Sequence, residues 1–125
     1  MTPAELRSTR ESLGFTGDAL GVYVGKSGRT VRHWETGRFV IPDSVADEIH
    51  ALEELTGSCV DELVGQLVDE NATVVITYRS DEDFHAAHPA FEGFPAAWHR
   101  AVVKRAASRL RGVRIEFLQE TQEGP

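Results

Sequence analysis

The spacing of apolar and polar positions divides the chain into short helices, one long amphipathic stretch and two strand-like segments. Leu6 and Leu13 fall on one face of a helix over residues 3–13, which Thr2 can cap, Pro3 can open and Glu5 favours from its first turn. Gly14 closes it. Thr16 starts a second helix that runs to Val24 with Leu20 and Val24 facing inward, and Gly25 stands where a tight turn between helices requires positive φ. Ser27 is a good N-cap for a third helix, with Val31 and Trp34 as its buried side and Gly37 at its end. Pro42 separates this unit from residues 43–69, where Val45, Ile49, Leu52, Leu55, Val60, Leu63, Val64, Leu67 and Val68 recur at helical spacing. That stretch is acidic and holds no Lys or Arg. Gly57-Ser58 leaves open whether it is one bent helix or two.

Beyond it, Thr73–Tyr78 is β-branched and aromatic, a strand signal. Ser80 with Asp83 predicts a capped short helix that stops before Pro89, and residues 91–95 form a loop. Ala96–Leu110 follows as a helix ended by Gly112. Val113, Ile115 and Phe117 then alternate with Arg114 and Glu116, as in a half-buried strand, and the polar tail from Gln119 is expected to fray. The expected fold class is mainly α with a small β part (α+β). A four- to five-helix domain over residues 1–70 precedes a small β-α-α-β domain over residues 71–125. Two strands alone make a marginal sheet, so the second part needs its own helices or another copy of the chain to bury it.

Composition narrows the class. Hydrophobic residues at 41% and charged residues at 26% are ordinary for a globular chain with a core. No apolar run approaches the roughly 18 residues that span a bilayer, so no membrane partner is expected. No basic-then-apolar leader opens the chain. The single cysteine, Cys59, excludes an internal disulfide and fits a reducing cytoplasm. A net charge of −7 speaks against nucleic acid until the charges are located. Residues 1–41 carry six Lys/Arg against four acids, and the window 26–38 carries four against one. A local basic face on an otherwise acidic chain suits a protein that meets phosphates at one end only.

That face coincides with a helix-turn-helix signal. The run from Phe15 to Arg38 resembles the lambda-repressor/Cro-like (XRE-type) helix-turn-helix family, with Leu20, Val24, Gly25, Ser27, Thr30, Val31, Trp34, Glu35 and Gly37 in register. Val31 and Trp34 would hold the recognition helix inward, leaving Gly28, Arg29, Arg32 and His33 outside as candidates to read bases in a major groove. Lys26, Ser27, Thr30, Arg38 and Thr16 are the candidate phosphate contacts, which position without specifying. The resemblance further implies a structural ion pair between Arg10 and Glu35. In one respect the chain departs from the family. Where relatives carry a phosphate-gripping Gln after the Thr, it has Gly17, so that grip is lost or supplied by a backbone N–H.

Over nearly its whole length the chain is also similar to small two-part autorepressors of the anti-CRISPR-associated type. The similar residues are Trp34-Glu35-Thr36-Gly37-Arg38, Ile41-Pro42-Asp43-Ser44-Val45, Asp83-Phe84, Pro89 and Trp98-His99. That similarity implies a homodimer, joined through the C-terminal part, that represses its own operon by binding a palindromic, inverted-repeat operator in double-stranded DNA. Phe84, Phe91, Phe94 and Trp98, with Val113, Ile115 and Phe117, are the candidate dimer interface; a small core under a loop explains the aromatic four equally well.

Other chemistry finds little support. His85, His88 and His99 lack the companions that complete a metal-binding spacing, so no metal and no cofactor is expected. Asp81-Glu82-Asp83 suits a helix N-terminus. No phosphate loop, nucleophile elbow or Ser/His/Asp arrangement occurs, which argues against an enzyme. A different class remains open: an antitoxin-like interaction module whose acidic helix or C-terminal part holds a protein partner and whose DNA binding is autoregulatory. RNA or single-strand binding is disfavoured by the expected burial of Trp34.

Overall fold

The computed structural model describes residues 1–119 and is mainly helical, an α+β fold with a small two-stranded sheet. The remainder of the polar tail, residues 120–125, lies outside the described residues. Helix α1 (Pro3–Ser12) opens with a full capping box: Thr2 Oγ1 accepts from the Glu5 amide at 3.1 Å and the Glu5 carboxylate accepts from the Thr2 amide at 2.8 Å. Thr16 and Ser27 cap α2 (Gly17–Tyr23) and α3 (Gly28–Glu35) by accepting from the Ala19 and Thr30 amides. Between them Gly25 takes φ of +70°, as the turn requires.

Helix α4 (Asp43–Asp69) is continuous over 27 residues, which decides between one helix and two. A glycine inside a helix costs only about 1 kcal/mol, and packed neighbours on both sides of Gly57 offset that. The buried stripe runs through Val45, Ile49, Leu52, Thr56, Val60 and Leu67. Leu55 and Val68, expected among the apolar positions, are 41% and 59% exposed because each stands one residue off this stripe, about 100° round the helix.

Strands β1 (Val74–Thr77) and β2 (Arg114–Phe117) pair in parallel, with Val74 opposite Arg114 and Thr77 opposite Phe117. Parallel neighbours need a long crossover. Here it comprises α5 (Asp81–Ala87), a 3-10 turn at Pro89–Phe91 and α6 (Ala96–Ser108). The expected alternation along β2 is blurred: Val113 and Phe117 are half-buried, and Ile115 is 39% exposed. Among the described residues β2 has β1 as its one strand neighbour, so it is an edge and lacks the cover that alternation anticipates.

One buried cluster extends from Leu6 to Ala106, across the expected boundary at residue 70. Its centre is Trp98, stacked on Phe91 at 5.2 Å and tilted against Phe94 at 4.6 Å. The indole N–H donates to Thr56 Oγ1 at 2.9 Å, and Thr56 donates onward to the Leu52 carbonyl. Phe94 reaches back to Phe15 and Tyr23 of the N-terminal helices. Arg105 on α6 donates to the Ser12 carbonyl at the end of α1. Asp81 accepts from the Ala96 amide, so one carboxylate of the acidic trio caps α6 as well as opening α5.

This packing favours the core alternative for the aromatic four. Phe84 and Trp98 are buried within the chain's own core, while Phe91 and Phe94 are partly buried against it. A group of aromatics beside two prolines has the same composition in a core as in an interface, and here the core claims it.

His99 sits in this core's polar corner, its Nδ1 2.8 Å from Thr77 Oγ1. Burial chiefly, then the neighbouring His88 and Arg100, push its pKa from 6.5 down to about 4. A depressed imidazole stabilises the fold while neutral. That contribution is complete above the unfolded value near 6.5 and is lost as pH falls towards 4. Discounted for partial exposure, the loss is about 2 kcal/mol. Urea midpoints from pH 7.5 to 4.5 should show it, and His99→Asn, which can still bond Thr77, should remove that part of the slope. An equal slope in the variant would locate the pH dependence elsewhere.

Candidate nucleic-acid interface

Helix α3 has two unlike sides. Val31 and Trp34 are 0% and 3% exposed against the N-terminal core. Arg29 and Arg32 are exposed, one turn apart, with His33 half-exposed beside them. Positions three apart share a helix face, so Arg29 and Arg32 form one outward row.

The same periodicity corrects one candidate. Gly28 stands three residues before Val31 and is therefore on the inner side, where it is buried against Asp18. It has no side chain to offer a base, and its service is to let α2 and α3 approach. Gly21 does likewise from the other helix, since a Cβ there would lie 2.6 Å from the Ser27 carbonyl carbon.

Four of the phosphate candidates stand at helix starts, and Arg38 lies just beyond the end of α3. Lys26, Ser27, Thr16 and Arg38 are exposed and Thr30 is half-buried. Ser27 Oγ and Thr30 Oγ1 lie 3.0 Å apart, so the cap and the first turn are already ordered. Arg38 lies over the Phe39 ring at 5.7 Å, and His33 meets the same ring edge to face at 5.1 Å. Phe39 is 53% and Val40 91% exposed just after α3, an apolar feature that periodicity gave no reason to single out. Partial burial, then Arg38, Arg29 and Arg32, lower the His33 pKa below the ordinary imidazole value.

Behind this face, Arg10 and Glu35 form a two-pronged pair at 2.7 and 3.0 Å, with side chains only 16% and 12% exposed. A third Arg10 N–H donates to the Phe15 carbonyl at 3.0 Å. Arg10 thus ties the end of α3 to the turn between α1 and α2. With its donors committed inward, it serves architecture.

Asp18 was not among the sequence candidates. Its Oδ1 is 3.5 Å from Arg32 Nη1, across two helices. Elsewhere, a cleft of about 250 Å³ between α4, α5 and α6 is lined by Cys59, Glu62, Phe91, Trp98, His88 and His99 among others. Among the described residues no group of His, Cys, Asp or Glu is arranged to hold a metal ion, and no helix is long and apolar enough to cross a membrane.

A comparison with curated proteins returns no match. A family model does match, over residues 1–107, covering α1 to α5, β1 and all but the last residue of α6. The chain belongs to the Aca2/YdiL-like family, a family related to anti-CRISPR-associated regulators.

Proposed function

We propose that this protein is a sequence-specific double-stranded DNA-binding repressor of the XRE helix-turn-helix type, acting as a homodimer on an inverted repeat upstream of its own operon. The observation that carries the reading is the division of α3: a buried inner side and an outward row of Arg29 and Arg32. Arg presents a fork of donors that fits guanine O6 and N7. Thr16, Lys26, Ser27, Thr30 and Arg38 hold the backbone; the first four stand at two capped helix starts, which suit anions, and Arg38 follows the end of α3. Membership of a family related to anti-CRISPR-associated regulators favours a regulatory role. We place that role in the cytoplasm and without catalysis.

Dimerisation is supported by what one copy leaves uncovered. The sheet has two strands, and Ile115 and Leu118 at its β2 side are 39% and 38% exposed. Of the seven interface candidates, Ile115 and Phe117 on this strand and Val113 just before it keep accessible surface. Two copies related by a dyad would place their α3 helices in successive major grooves about 34 Å apart.

The test is a footprint of the purified protein on its own upstream DNA, with light scattering on the same sample. Two protected half-sites about one helical turn apart and a dimeric mass are expected. A monomer, or uniform protection without a site, would remove the proposal. Arg29→Ala should weaken cognate binding by about 1–3 kcal/mol and relax one base position per half-site. Equal losses on cognate and random DNA would reassign Arg29 to the phosphates.

A further inference from the structure

We propose that Asp18 is a positioning residue for Arg32 and so sets the base preference of the recognition helix, an inference that rests on the DNA-reading role proposed above for α3. Asp18 is the second residue of α2, and its Oδ1 lies 3.5 Å from Arg32 Nη1. The two side chains are 83% and 64% exposed. In water such a pair contributes little to folding. A carboxylate on a face that meets phosphates also opposes general attraction to DNA. The first turn of α2 favours an acid through the helix dipole, but that does not require a contact with α3; the approach to Arg32 adds orientation of a neighbouring guanidinium.

Gly28 makes the arrangement possible. A Cβ at that position would collide with the Asp18 carboxylate and stand 3.0 Å from Asp18 Cα. The carboxylate occupies the space that glycine leaves open over the first residue of α3. From there it reaches Arg32, one turn further along the same helix. A guanidinium has five N–H donors in a planar fork. With Nη1 drawn towards Asp18, the rest of the fork is biased towards the groove. When DNA covers the helix and displaces water, the pair strengthens, so its effect is concentrated in the complex. Among the described residues Arg29 has no acidic partner of this kind, so the two arginines are not equivalent readers.

The test selects DNA from a duplex pool with a randomised core, using the full chain, Asp18→Asn, Asp18→Glu and Arg32→Ala under one salt condition. The unmodified chain should enrich a two-fold symmetric motif. Asp18→Asn should flatten one base pair per half-site, the same one that Arg32→Ala flattens, with discrimination there falling about fivefold or more. Its affinity for random duplex should hold or rise, because a negative charge has left the face. Asp18→Glu should retain the preference. An unchanged Asp18→Asn motif, or one flattened where Arg32→Ala has no effect, overturns the inference. So does a loss spread evenly over cognate and random DNA, which a purely structural role would produce. If the unmodified chain enriches no motif, the DNA-reading proposal fails first, and this inference fails with it.

Discussion

Gly14→Ala is expected to destabilise the folded chain by about 4 kcal/mol, far more than a single added methyl group would suggest. Two costs combine. Gly14 has φ of +75°, a left-handed conformation that costs an L-residue about 1–2 kcal/mol. Its missing Cβ also faces backbone: a methyl there would lie 2.6 Å from the Ala97 carbonyl carbon and 2.9 Å from the Trp98 amide nitrogen. A flexible side chain could move aside, but the first turn of α6 cannot, and forced overpacking costs about 1–3 kcal/mol. Gly57→Ala is the control, because a Cβ there meets nothing within 4 Å and the site is inside α4. It should stabilise by up to about 1 kcal/mol. Urea denaturation of both variants measures this. A loss below about 1 kcal/mol for Gly14→Ala would mean that the corner after α1 is not pressed against α6.

Trp98→Ala is expected to cost about 4 kcal/mol, within the usual range for a buried aromatic truncation. Trp98 is 2% exposed and packs against Phe91 and Phe94, and its indole N–H is committed to Thr56. Trp98→Phe keeps most of the ring contact and removes that donor, which should cost about 1 kcal/mol. Chemical denaturation gives both values. Light scattering on Trp98→Phe, which should remain folded, separates core from interface. An unchanged mass with lowered stability is the expected result. A fall in mass at unchanged stability would restore Trp98 to a dimer contact.

What was legible in the sequence, and what was not, follows the range of the interactions. The N-terminal helices could be placed because each carries local signals: a side-chain cap at Thr2, Thr16 and Ser27, and a glycine at each turn. The burial of Val31 and Trp34 followed from spacing alone. Gly28 was misplaced although the same spacing puts it on the inner face, because a residue without a side chain gives no apolar signal. The core role of Phe84 and Trp98 was not legible, since aromatic enrichment has the same appearance in a core and in an interface. The exposure of Ile115 depends on how many strands the sheet has, which β2 does not encode. The Asp18–Arg32 contact joins residues fourteen positions apart on different helices, and no periodicity connects them.

The central claim is that this chain distinguishes one DNA sequence from others. The most direct measurement titrates the purified protein onto the upstream duplex and onto a shuffled duplex of equal length and composition, at one physiological salt concentration. The account predicts cognate binding at least about 10³-fold tighter than shuffled, the usual lower bound for a sequence-specific regulator. Equal affinity for the two duplexes would contradict it.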